Sequence, residues 1–251
     1  MTVPPAYRLL ERGRVRAVVL EELAEALAEW LLAPVVRLPA DAEPLAGGRG
    51  AAWRITLPGD VRAVLRENRR GGLVRHVVAQ HYLGVWPRPF TELAVTAEVR
   101  RRGVPAAEVL AARVDGRVVY RGALLTREVA GARPLLAALA RADGTIAREA
   151  LAASAGRTVA RLHDAGVFHA DLNLGNILVT DDPTHVESTL VDFDRARLAT
   201  GPLDPTARRR NLRRLGRSLR KLDPGGRVAG PETIAAFRRA YGAPAGDACG
   251  C

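Results

Sequence analysis

Three side chains set the chemistry this chain can do. His169-Ala170-Asp171-Leu172-Asn173-Leu174-Gly175-Asn176 has the form H-x-D-x-x-x-x-N, and an apolar stretch then delivers Val191-Asp192-Phe193-Asp194. Transfer of a phosphoryl group to a hydroxyl needs a carboxylate to take the hydroxyl proton. It also needs an amide oxygen and a second carboxylate to hold magnesium. Asp171 fits the first role, Asn176 and Asp192 the second. Residues 177–179 and 190–191 read as short strands around a turn at Asp181-Asp182-Pro183, the setting in which a catalytic loop leads to a metal-binding loop. Either motif alone is weak evidence; both in this order and spacing are strong evidence.

These residues need a scaffold. Residues 144–166 predict a helix marked by Ile146, Leu151, Val159 and Leu162 and stopped by Gly166, ending where a helix feeding the loop should end. His163 and Asp164, at that end, read as polar neighbours and caps. Near the N-terminus, residues 20–32 predict an amphipathic helix with Leu20, Leu23, Leu27, Trp30 and Leu31 on one face. Gly47-Gly48-Arg49-Gly50 then enters a strand through Trp53 to Leu57, Pro58-Gly59-Asp60 turns, and residues 61–66 return. In kinase folds a glycine loop lays backbone N–H groups over the nucleotide phosphates, and a strand-end lysine paired with a helix glutamate grips them. Gly48, Arg49 and Gly50 are the candidates for the loop. Arg66 stands in the lysine's place, its ordinary reading being a surface cation. Its partner is expected a turn into the next long helix, at Glu92, with Glu98 as the fallback. A further hairpin is expected over 118–120 and 123–128. The prediction is an α+β, two-lobed fold: a β-rich nucleotide-binding N-lobe at 1–128 opened by a helix, and a larger helical catalytic lobe at 129–251.

Composition narrows the partners. The net charge is +11 and arises almost wholly from arginine, Lys221 being the only lysine. That excess favours anionic partners, and arginine suits bidentate phosphate recognition. It is densest at 208–222, where Leu212, Leu215, Leu219 and Leu222 form a helical stripe among eight cations. The ordinary reading is a basic face in water on a helix packed against the larger lobe, followed by a flexible tail. The sharper one is a surface for a polyanion or an anionic membrane. Stacking aromatics and recognition motifs do not accompany the charge, so nucleic acid is not expected. Cys249 and Cys251 make neither a zinc site nor a disulfide framework, and a reducing compartment is expected. The acidic residues Glu21, Glu22, Glu25 and Glu29 exclude a membrane span at 20–32, and no signal peptide is evident.

Gly48-Arg49-Gly50 with Trp53, Val64-Leu65-Arg66, Arg69-Arg70-Gly71-Gly72-Leu73-Val74, the Asp171 and Asp192 motifs, and Asn211 to Lys221 together resemble the 3-deoxy-D-manno-octulosonic acid (Kdo) kinases, a lipopolysaccharide kinase family with a protein-kinase-like fold. The resemblance spans residues 47–222. It implies an ATP- and Mg2+-dependent enzyme that phosphorylates the 4-hydroxyl of Kdo on a lipid A precursor, peripherally bound at the cytoplasmic face of the inner membrane. No obligate protein partner is evident in the sequence. Asp171 would be the catalytic base, Asn176 and Asp192 the metal ligands, and Arg66 with Glu92 the phosphate-positioning pair. Against protein kinases, Ala170 replaces the catalytic-loop arginine, Asn173 the lysine that faces the transferred phosphoryl, and Asp194 the glycine after Asp-Phe. Two other readings stay open: a small-molecule kinase for another sugar or an antibiotic, and a catalytically inactive kinase-like binding module.

Overall fold

Residues 2–45, 52–68, 86–116, 120–182 and 185–242 are described by the computed structural model. They group into two units, Met1–Ala97 with Glu108–Glu128, and Glu98–Ala107 with Val129–Cys251. Glu98–Ala107 thus groups with the second unit, although it lies inside the segment expected to form the N-terminal lobe.

The first unit opens on a hairpin rather than a helix. β1 (Tyr7–Arg12) pairs antiparallel with β2 (Val15–Leu20). Val15, Ala17, Val18, Val19 and Leu20 of β2 are all buried, so both faces of this strand lie in the core. The helix expected from residue 20 is therefore shorter: Leu20 closes β2, a 3-10 turn takes Glu21–Leu23, and α1 is Ala24–Leu32. Its Leu27 and Leu31 join Leu20 and Leu23 in the core, with Trp30 packed at the edge. Charged residues scattered through 8–16 hide the strand alternation from a reading of periodicity.

β3 (Glu43–Pro44), β4 (Ala52–Leu57), β5 (Val61–Asn68), β6 (Val109–Asp115) and β7 (Arg121–Arg127) extend the sheet, whose order among the described residues is β1-β2-β6-β7-β5-β4-β3. The β4–β5 hairpin matches the expected one. The other expected hairpin has β7 as its second strand, which pairs with β6 and β5; its first strand was expected at 118–120, where Val118 and Val119 lie outside the described residues. β6 shows no alternation because every residue from Val109 to Val114 is buried. Even Arg113 is buried, its Nε donating to Leu31 O (2.7 Å) and its Nη2 to Ala33 O (2.6 Å). That guanidinium satisfies carbonyls left open at the C-terminal end of α1, where a cation also suits the helix dipole. α2 (Arg88–Arg101) sets Phe90 and Leu93 against Val18, Val109, Ala112, Val114 and Leu124, which turns Glu92 into the unit's interior.

The second unit contains β8 (Arg133–Pro134), α3 (Leu135–Arg141), α4 (Gly144–Asp164), β9 (Val167–Phe168), β10 (Ile177–Asp182), β11 (His185–Leu190), β12 (Arg197–Leu198), α5 (Pro205–Leu222) and α6 (Pro231–Tyr241). α4 buries Leu151, Val159 and Leu162 as expected, whereas Ile146 is 87% exposed because it precedes the buried stretch that begins at Leu151. Gly166 takes φ 73° just after the helix and passes so close to Gly201 O that a Cβ would collide with it. α6 adds a helix after α5 that the sequence reading did not expect. It packs so tightly on α4 that a Cβ on Gly156 would run into Phe237 O. Asp204 caps α5, accepting from Thr206 N (2.8 Å) and Ala207 N (2.9 Å), with Pro205 in the first turn. Among the described residues no helix is long and apolar enough to cross a membrane.

Candidate active site

The loop between β9 and β10 is shaped by alternating pegs and hooks. His169, Leu172 and Leu174 are buried, so Asp171 turns outward, its side chain 53% exposed. His169 Nδ1 accepts the Asp171 N–H (3.2 Å), which leaves Nε2–H to donate to Val191 O (3.0 Å). The ring rests 5.0 Å from buried Phe193, and burial holds its pKa below the usual histidine value, so it stays neutral. One imidazole thereby ties the Asp171 segment to the Asp192 segment. Asn173 Oδ1 accepts from Gly175 N (2.8 Å) and Asn176 N (3.2 Å), closing the 3-10 turn Leu174–Asn176. The side-chain amides of Asn173 and Asn176 both donate to Asp171 O, each at 2.9 Å.

The two metal-ligand candidates are neighbours. β10 and β11 pair with Ile177 opposite Leu190, and Val191 N donates to Asn176 O (3.1 Å). Asp192 follows directly, at φ 64°, a left-handed conformation rare for a residue with a side chain. Such strain persists where the surroundings fix it, here by the buried Phe193 beside it. Because Asn176 Nδ2 is committed to Asp171 O, its amide oxygen is the end that can meet a cation. An amide oxygen and a carboxylate are hard donors, and magnesium characteristically takes one or two protein ligands and completes its shell with phosphate and water. This donor set therefore fits a magnesium–nucleotide.

Sequence reasoning missed how α5 takes part. Asn211 is buried and grips the loop backbone: its Oδ1 accepts from His169 N (3.1 Å) and its Nδ2 donates to His169 O (2.9 Å). Ser218 Oγ accepts from Leu174 N (3.3 Å). Between them Arg214 donates to Asp171 Oδ1 through Nε (3.0 Å) and Nη2 (2.5 Å). Burial pushes the Asp171 carboxyl up, but the bonds and charge of Arg214, with Asn173, more than offset it and hold the group below its usual value. His163, expected as a cap, is instead a buried hub. It joins Asn211 Oδ1 (3.2 Å) to the Tyr241 hydroxyl (2.8 Å), and burial lowers its pKa to about 4. The available signal was the spacing of Asn211, Arg214 and Ser218, which share one helical face.

In the first unit, Arg66 on β5 and Glu92 on α2 form an ion pair, with Glu92 only 3% exposed. A carboxylate so buried is retained only with its charge matched, and here it fixes where the guanidinium lies. The fallback Glu98 instead bonds Arg101 (2.6 Å) and Arg102 (2.8 Å), three and four residues on. Gly48, Arg49, Gly50 and the run 69–74 lie outside the described residues, as do Cys249 and Cys251.

Comparison with known proteins follows the same outline. The sequence model described as the lipopolysaccharide kinase (Kdo/WaaP) family matches residues 40–241. A 3-deoxy-D-manno-octulosonic acid kinase of Xanthomonas campestris pv. campestris (strain B100) is 40% identical over 184 residues, covering 70% of this chain and 68% of that protein. The enzyme of the same name from Vibrio cholerae serotype O1 is 34% identical over 180 residues, covering 70% and 72%. Among solved structures, WaaP in complex with acyl carrier protein superposes with TM-score 0.60 at 20% identity, covering 90% of this chain and 88% of that one. The Rio2 kinase of Chaetomium thermophilum, solved as an ADP/Mg2+-phosphoaspartate complex, gives 0.50 at 16%, covering 95% and 77%. These likenesses establish an α+β, protein-kinase-like fold.

Proposed function

The chain belongs to the lipopolysaccharide kinase (Kdo/WaaP) family and is a phosphotransferase, and from that premise we propose that it transfers the γ-phosphoryl of ATP to the 4-hydroxyl of Kdo on a lipid A precursor, a step of lipopolysaccharide core biosynthesis. The observation that carries the reading is the loop geometry: an outward carboxylate at Asp171, the Asn176 side-chain amide bonded to Asp171 O, and the residue before Asp192 bonded to Asn176 O. Asp171 accepts the proton of the attacking hydroxyl. Asn176 and Asp192 would hold Mg2+, which would screen the phosphate charge and orient the transferring group. Arg66, steadied by Glu92, holds the nucleotide phosphates, and the Gly48–Arg49–Gly50 loop covers them.

The sugar acid and phosphates of such an acceptor suit a basic enzyme. Exposed Arg209, Arg213, Arg217 and Arg220 on α5 are proposed to meet the anionic inner-membrane surface on its cytoplasmic face, each worth about 1 kcal/mol there. Replacing all four by Gln should weaken association with anionic vesicles; unchanged binding sinks that part alone.

The deciding experiment is a product assay with Kdo–lipid A precursor, free sugars and aminoglycosides as acceptors. Phosphate on the 4-hydroxyl of Kdo is the expected result. Transfer only to another sugar or an antibiotic overturns the acceptor assignment, and no transfer from ATP to any of them overturns the enzyme reading. Arg66→Ala should raise the KM for ATP or cut turnover strongly. Arg66→Lys should restore only part, because a point charge replaces a planar fork. Parent-like kinetics in Arg66→Ala would move the phosphate-holding role to another strand.

A further inference from the structure

Resting on that kinase reading, we propose that Arg214 is a catalytic residue, the cation that faces the transferring phosphoryl group, supplied from α5 where the catalytic loop has none. The loop cannot supply it. Ala170 carries no charge, and Asn173 is a neutral amide, its Oδ1 capping Gly175 and Asn176 and its Nδ2 bonded to Asp171 O. Among the described residues a positive charge reaches Asp171 from a helix 43 residues further on, where Arg214 sets two nitrogens on one oxygen of the carboxylate.

This placement is built. Three residues before Arg214, buried Asn211 is bonded to both backbone groups of His169. Four residues after it, Ser218 receives the Leu174 N–H. Positions i, i+3 and i+7 lie on one helical face, so α5 is fastened to the loop on either side of Asp171 and Arg214 is held at the carboxylate between them. Both arginine bonds fall on Oδ1, so the guanidinium does not cover Oδ2, the oxygen proposed to take the proton. Arg214 is 43% exposed, which leaves its fork room to turn.

The step balances with ATP and the acceptor alone. The acceptor oxygen forms a bond to the γ-phosphorus while the bond from phosphorus to the bridging oxygen breaks, and that electron pair leaves on ADP. The hydroxyl proton passes to Asp171 Oδ2. Once protonated, the carboxyl no longer balances the guanidinium, and Arg214 turns to the oxygens of the transferring phosphoryl, whose planar, multiply charged face suits a bidentate fork. Arg214 therefore orients the base before transfer and offsets phosphoryl charge during it.

The test compares the parent, Arg214→Ala and Arg214→Lys in the full-length protein, following transfer to Kdo–lipid A precursor and slow ATP hydrolysis, in which water is the acceptor. In Arg214→Ala the kcat of both reactions should fall about 10²–10³-fold, the usual effect of deleting one donor aimed at transition-state charge. The KM for ATP should change little. Added guanidinium ion at millimolar concentration should restore part of the lost rate, and Arg214→Lys should retain an intermediate rate. Parent-like kcat in Arg214→Ala overturns the proposal. So does a loss that guanidinium and lysine both fail to relieve, because that marks a purely structural role. If the parent leaves Kdo untouched while its ATP hydrolysis still collapses in Arg214→Ala, the acceptor assignment falls and the role of Arg214 stands.

Discussion

Asp171→Asn is expected to lower turnover about 10²–10⁴-fold while magnesium–nucleotide binding persists, because a carboxamide cannot take the hydroxyl proton. The substitution is close to isosteric. Its amide oxygen still accepts from Arg214, and the backbone oxygen that receives Asn173 and Asn176 is untouched. The loop should therefore keep its shape, so that a lost rate reports lost chemistry. Turnover measured beside calorimetric titration with ATP and Mg2+ checks both halves. Near-parental turnover would remove Asp171 from the mechanism.

Asp192 should fail differently. Loss of a group that merely supports a ligand typically costs 10–100-fold in metal affinity, so loss of the ligand itself should cost at least ~100-fold. Two substitutions are needed because Asp192 sits at φ 64°. Alanine there adds roughly 1–2 kcal/mol of backbone strain, whereas asparagine tolerates that region. Asp192→Asn should thus weaken Mg2+-dependent nucleotide binding with little change in Tm, and Asp192→Ala should lose both. A magnesium titration unchanged in Asp192→Asn would strike that residue from the metal site.

What could be read from the sequence follows the range of the interactions. Asp171, Asn176 and Asp192 sit on one loop–strand–strand passage, and local spacing was enough to single them out as candidates that the structure brings together. The Arg66–Glu92 pair spans 26 residues, but each member stands at a recognisable place, a strand end and a helix start. β6 was missed because a strand buried on both faces has no alternation to see. The β1–β2 hairpin was missed because its exposed edge strand carries mixed charge. α6 is short and follows a run of glycine and proline, the composition of a tail. Arg214 looked like any other cation on a basic helix. Its distinction is a contact across 43 residues, which no window of sequence contains.

The arginine at position 66 has a consequence for chemical labelling. Acyl-donating nucleotide analogues tag a kinase by transferring their acyl group to the lysine amine beside the phosphates. A guanidinium at that position offers no free amine, and Lys221, at the end of α5, is the only side-chain amine in the chain. If Arg66 holds the nucleotide phosphates as proposed, amine-directed reagents would pass that site without marking it, and lysine acetylation could not silence it. Reagents for arginine, such as vicinal dicarbonyls, would have to do that work, with Arg66 and Arg214 among their targets.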